Sequence, residues 1–159
     1  MTEPIWLTEA RRYLGLCEIP GSAHAAEILA MWDKIKRGGI NDDETPWCAA
    51  FVGSCLENVN IKSTRFESAK SYMNWGLPLD APLLGCIVVF GRSGGGHVAF
   101  NVGLTKAADP VCLGGNQGNK VSIATFPRSR VLGYRWPVGF DIGEPPPIID
   151  GSAESKSEA

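Results

Sequence analysis

The chain reads as an α+β domain in which N-terminal helices pack on an antiparallel sheet. Apolar residues recur at helical spacing through the N-terminal third, and short apolar or alternating runs bounded by glycine and proline follow from Ile87 onward. Helices first and a strand cluster afterwards is the order of an α+β fold, not of alternating βαβ units. Size agrees: 159 residues, 44% of them apolar, suffice for one core and one domain.

Each element has its own signal. Residues 5–16 place Ile5, Trp6, Leu7, Ala10, Tyr13, Leu14 and Leu16 in one stripe, with Thr8, Glu9, Arg11 and Arg12 opposite. Pro20 and Gly21 break the chain, and a second helix is expected over residues 23–36. It ends at Gly38 and Gly39, with Lys34, Lys36 and Arg37 where the helix dipole favours cations. His24, at its start, reads as a surface or capping residue.

A third helix is predicted from Thr45 as N-cap and Pro46 in the first turn, running to Asn58. Trp47, Cys48, Phe51, Val52, Cys55 and Leu56 form its buried face. Residues 68–75 suggest a short helix closed by Gly76, followed by a loop between Pro78 and Pro82. Strands are expected over residues 87–90, 97–102, 111–113, 121–125 and 131–134. In the second of these, His97, Ala99 and Asn101 share one face and Val98, Phe100 and Val102 the other. The domain is taken as residues 1–140. Residues 141–159, with Pro145-Pro146-Pro147 and a polar end, are expected to form an extended or disordered tail.

Composition narrows the function. A formal net charge of -2 gives no reason to expect nucleic acid as a partner, and no run approaches the length of a membrane span. The N-terminal residues interleave acids and arginines without an apolar core, so the expectation is synthesis in a cytoplasm with no secretory signal. Cys17, Cys48, Cys55, Cys86 and Cys112 are odd in number and contain no C-x-x-C, which argues against a zinc ribbon or a thioredoxin-type pair. The acidic loop Asp42-Asp43-Glu44 has two readings, oxygen ligands for calcium or a complement to the dipole of the following helix.

Cys48 likewise has two readings. In the first turn of a helix, unpaired N–H groups and the dipole favour a thiolate. A small cysteine filling a core slot has the same sequence signature. What weights the first reading is the company it keeps. His97 opens a strand after a flexible glycine turn, and Asn116 and Gln117 end another strand. A Cys-His pair with a polar orienting group is the papain-type arrangement for attack on an amide or ester.

Five segments carry a resemblance to a known family. They are the run Asp43-Glu44-Thr45-Pro46-Trp47-Cys48-Ala49-Ala50-Phe51-Val52, the paired runs Ile87-Val88-Val89-Phe90 and Gly96-His97-Val98-Ala99-Phe100, then Leu113-Gly114-Gly115-Asn116-Gln117, Val131-Leu132-Gly133-Tyr134-Arg135-Trp136-Pro137, and the N-terminal piece from Gly15 to Gly21. In this order they resemble the CHAP and NlpC/P60 superfamily of peptidoglycan-cleaving cysteine hydrolases, and within it a compact family of phage endolysins and bacterial cell-wall hydrolases.

The resemblance implies a papain-like fold, amide hydrolysis in peptidoglycan without a cofactor, and Cys48 as nucleophile, His97 as base and Asn116 as the group orienting the imidazole. It places Trp47, Asp43, Gln117 and Trp75 in the substrate groove, although both tryptophans are equally readable as core aromatics. It also implies a monomer whose partner is peptidoglycan, reached through a holin or a secretion machine. An immunity protein is a further partner if the chain is an antibacterial effector. One departure is Cys86, where the family usually has aspartate in the turn before the strand.

Overall fold

The computed structural model describes residues 3–17, 26–36, 47–92 and 95–149. Helix α1 (Ile5–Arg11) starts at Pro4, whose carbonyl accepts the N–H groups of Leu7 and Thr8. It turns Trp6, Leu7 and Ala10 into the core. The helix is shorter than its stripe predicts. Gly15, at φ +94°, turns the chain so that its N–H bonds Val121 O while Leu16 O accepts Val121 N–H. Pairing with a distant segment thus ends the helix before its apolar periodicity does.

Helix α2 (Ala26–Lys34) buries Ile28, Met31 and Trp32, with Ile35 continuing the same face. The proposed start at residue 23 and the glycines at its end lie outside the described residues. Helix α3 (Cys48–Asn58) is the central element. Every residue from Cys48 to Leu56 is buried, so the expected single buried face is corrected to burial all round. α1, α2 and strands of the sheet all pack on it. Gly53 permits this closeness, because a Cβ there would stand 2.6 Å from Ile35 Cγ2.

The sheet has six strands in the order β1-β6-β2-β3-β4-β5, all antiparallel: β1 (Leu77–Leu79), β2 (Ile87–Arg92), β3 (Gly95–Leu104), β4 (Pro110–Gly114), β5 (Ser122–Thr125) and β6 (Val131–Trp136). Five of them match the expected runs. β1 replaces the loop expected around Pro78, and as an edge strand it tolerates a proline that a central strand would not. Short 3-10 turns at Ala69–Asn74 and Arg128–Arg130 complete the described elements. From Val98 to Val102 both faces of β3 are buried, because α3 and the Ala69–Asn74 turn pack against this strand.

The expected tail begins too early. Residues 144–149 are strapped to the domain by Leu84 N–H to Glu144 O (2.9 Å), Leu104 N–H to Pro147 O (2.9 Å) and Ile149 N–H to Leu104 O (2.7 Å). Pro145-Pro146-Pro147 gives the strap its extended form without needing internal hydrogen bonds. Residues 150–159 lie outside the described residues.

Candidate active site

Helix α3 begins two residues later than the sequence implies. Trp47 is its N-cap, with no side-chain capping bond, and Cys48 is its first helical residue. Thr45 and Pro46, the expected cap and first-turn residues, lie outside the described residues. Cys48, Ala49 and Ala50 thus form the first turn of a buried helix, the end at which backbone N–H groups face outward along the axis. Cys48 itself is 4% exposed.

His97 stands near the start of β3, in register with Phe90 of β2, and is fully buried. Its ring lies on an aromatic layer, stacked on Phe126 at 5.3 Å and on Phe90 at 6.0 Å between centroids. Phe90 and Phe126 stack on each other at 4.6 Å, and the Arg130 guanidinium sits 5.8 Å from the Phe126 centroid. Sequence reasoning missed this layer. Phe126 follows a short edge strand, and nothing in its neighbourhood signals contact with a histidine.

The imidazole is held by Gln117 instead of Asn116. Gln117 Oε1 lies 2.9 Å from His97 Nε2. Gln117 Nε2 donates to the carbonyl of Ser122 at 2.8 Å and more weakly to that of Cys112 at 3.4 Å. Two carbonyls can only accept, so the nitrogen of the amide faces them and its oxygen faces the ring. His97 Nε2 must then carry a hydrogen, which leaves Nδ1 as the basic nitrogen. Gln117, expected in the substrate groove, is a buried support for the histidine.

Asn116 occupies a left-handed conformation (φ +59°) and is 1% exposed. Neither polar atom of its side chain has a hydrogen-bond partner among the described residues. Its placement fits the turn, since asparagine tolerates this region better than most residues.

One turn joins the two halves of the site. A Cβ on Gly115 would stand 2.6 Å from Phe51 Cβ and 2.7 Å from Trp47 Cζ3, so the backbone there rests on the residues flanking Cys48 in the first turn of α3. Two residues on, Gln117 grips His97. Residues 114–117 thus tie the cysteine helix and the histidine strand to a common support.

Trp47 is fully buried against this turn, so it is a core aromatic and not a groove wall. Trp75 is anchored by Nε1–H to Lys62 O at 2.9 Å and packs edge-on against Tyr72 at 5.6 Å. Asp43 and the rest of the acidic loop lie outside the described residues. Among the described residues, no three His, Cys, Asp or Glu side chains are grouped to hold a metal ion. No described helix is long and apolar enough to cross a membrane.

Three of the remaining cysteines are chemically quiet. Burial pushes the Cys86 thiol up to about 12, against a hydrogen bond involving the Leu83 backbone that lowers it. Burial also raises Cys55 and Cys112 well above the ordinary thiol value, helped by Glu9 at Cys55 and by Cys86 at Cys112. Cys86 is fully buried and its N–H bonds Leu83 O, so the backbone makes the turn where an aspartate was expected. Cys17 is exposed.

No family model matches the chain, and no curated protein matches it in sequence.

Proposed function

We propose that this protein is a cysteine-dependent hydrolase of a papain-like fold that cleaves an amide bond in peptidoglycan. The observation that carries the reading is the buried His97–Gln117 pair, which supplies an imidazole of fixed tautomer on the strand that packs against the cysteine helix. Cys48 at the head of α3 supports the nucleophile assignment. The ordered motifs of the sequence support the substrate class.

The chemistry then follows from the residues. His97 Nδ1 takes the thiol proton of Cys48, and the thiolate attacks the carbonyl carbon of the stem-peptide or muramoyl–alanine amide. The carbonyl oxygen becomes an oxyanion, and N–H groups at the head of α3 stabilise it. As the carbon–nitrogen bond breaks, imidazolium gives its proton to the departing amine and a thioester forms on Cys48. Water, deprotonated by His97, attacks the thioester, releasing the carboxylate product and the thiolate. Throughout, Gln117 keeps Nε2–H engaged and the ring in one orientation.

Incubation of peptidoglycan sacculi with wild-type protein and with Cys48→Ala tests the reading. Soluble fragments released by the wild type alone support it, and mass spectrometry of their new ends names the bond. No release by either protein, with both retained on sacculi, contradicts it in favour of a wall-binding module without turnover.

A further inference from the structure

A cleft of about 650 Å³ lies between the N-terminal end of α1 and the strap, at the end of the sheet opposite His97. That volume lies within the range of about 300–1,000 Å³ seen for small-ligand sites. Its placement follows from register. His97 pairs with Phe90 towards the far end of β2, whereas the cleft borders Leu84, whose neighbour Gly85 bonds Asn101 O ahead of that strand.

The cleft is built rather than incidental. Trp6 Nε1–H is tied to Gly85 O at 2.7 Å, and Trp136 Nε1–H to Phe140 O at 3.2 Å. The two indoles meet edge to face at 5.1 Å, and Phe140 meets Trp6 at 5.3 Å. Gly143 lets the strap close over Trp136, because a Cβ there would stand 2.9 Å from the ring.

The lining pairs this aromatic floor and Ile142 with three carboxylates. Glu3 is already neutralised by Arg11 at 2.9 Å. Asp141 and Glu144 are exposed, and neither carboxylate has a charged or hydrogen-bonded partner among the described residues. With Trp6 and Trp136 buried beneath it, the cleft offers the exposed Phe140 and Ile142 beside two uncompensated negative charges, which complements an ammonium on an aliphatic stem.

We propose that this cleft binds the side-chain ammonium of a lysine-type diamino acid in the stem peptides of peptidoglycan, as a contact with the wall at the opposite end of the sheet from His97. The choice of source rests on the hydrolase reading above. The ammonium sits between Asp141 and Glu144, and its methylenes lie along Phe140 and Ile142. No bond is made or broken there. The site holds the enzyme on its polymer while Cys48 acts elsewhere.

Two measurements test this separately from catalysis. Titration with Nα-acetyl-lysine amide, followed by tryptophan fluorescence, should saturate, and the Asp141→Asn/Glu144→Gln protein should bind about tenfold more weakly. The Nε-acetylated probe should not bind. Equal binding of both probes, or no binding of either, overturns the site. The second measurement is cosedimentation of Cys48→Ala protein with intact sacculi, with and without the two rim substitutions. Retention should fall about tenfold with them, and unchanged retention overturns the assignment to stem peptides. Wild type that releases no fragments contradicts the hydrolase reading and leaves both binding measurements interpretable.

Discussion

Gln117 Oε1 accepts from His97 Nε2 at 2.9 Å, and the amide cannot turn over without losing its bond to the Ser122 carbonyl. The histidine is thereby fixed in tautomer and in plane. Orientation of this kind counts heavily in catalysis, where a misplacement of about 1 Å can cost roughly a hundredfold in rate.

Gln117→Ala should therefore lower kcat/KM on sacculi about tenfold to a hundredfold. Asn116→Gly should stay within about threefold of wild type, since glycine accepts the left-handed backbone without strain. Rates for the two variants side by side separate the roles. The reverse ranking would return the orienting role to Asn116.

Gly115 is the mechanical link between Cys48 and His97. Gly115→Ala places a methyl group against Phe51 Cβ and the Trp47 ring, neither of which is the far end of a flexible side chain. The expected cost is about 1–3 kcal/mol of stability, as for other over-packed cores. Denaturant titration reads it. Activity should fall more than stability alone explains, because the same turn carries Gln117.

Much of this was legible in the sequence, and the exceptions have physical causes. Helix α3 and five strands announce themselves by apolar spacing, which burial dictates directly. β1 does not, because three residues containing Pro78 are held only by pairing with β6. The strap from Glu144 to Ile149 is held by backbone bonds to Leu84 and Leu104, which composition does not encode. Cys48 and His97 were legible as candidates. The choice between Asn116 and Gln117 was not, since adjacent amides differ only in which one the turn points back towards β3. Trp47 offered no way to tell core from groove until Gly115 was seen beneath it.

Buried thiols should ignore alkylating reagents. In native protein at pH 8, iodoacetamide should label Cys17 and leave Cys55, Cys86 and Cys112 unmodified until the chain is denatured, because burial holds their thiols protonated and covered. Peptide mapping by mass spectrometry reads this at each position.

Acid should weaken one clamp in a definite window. Burial alone would raise the Glu57 carboxyl, but hydrogen bonds from Arg65 and from the Ser63 backbone and hydroxyl outweigh it and bring it from 4.5 to about 2. The folded value lies below the unfolded one, so this stabilisation is complete above about pH 4.5 and fades as pH falls towards 2. Glu57→Gln should cost about 1–2 kcal/mol at pH 7. The gap between variant and wild type in thermal melts should close through that acidic window.

The most direct measurement of the central claim is the acyl-enzyme itself. Turnover on a soluble stem-peptide fragment is quenched in acid, and the protein is digested and mapped by mass spectrometry. Substrate acyl mass on the peptide containing Cys48, absent from Cys48→Ala, is the predicted result. Hydrolysis that continues in Cys48→Ala, or an adduct on any other residue, would contradict it.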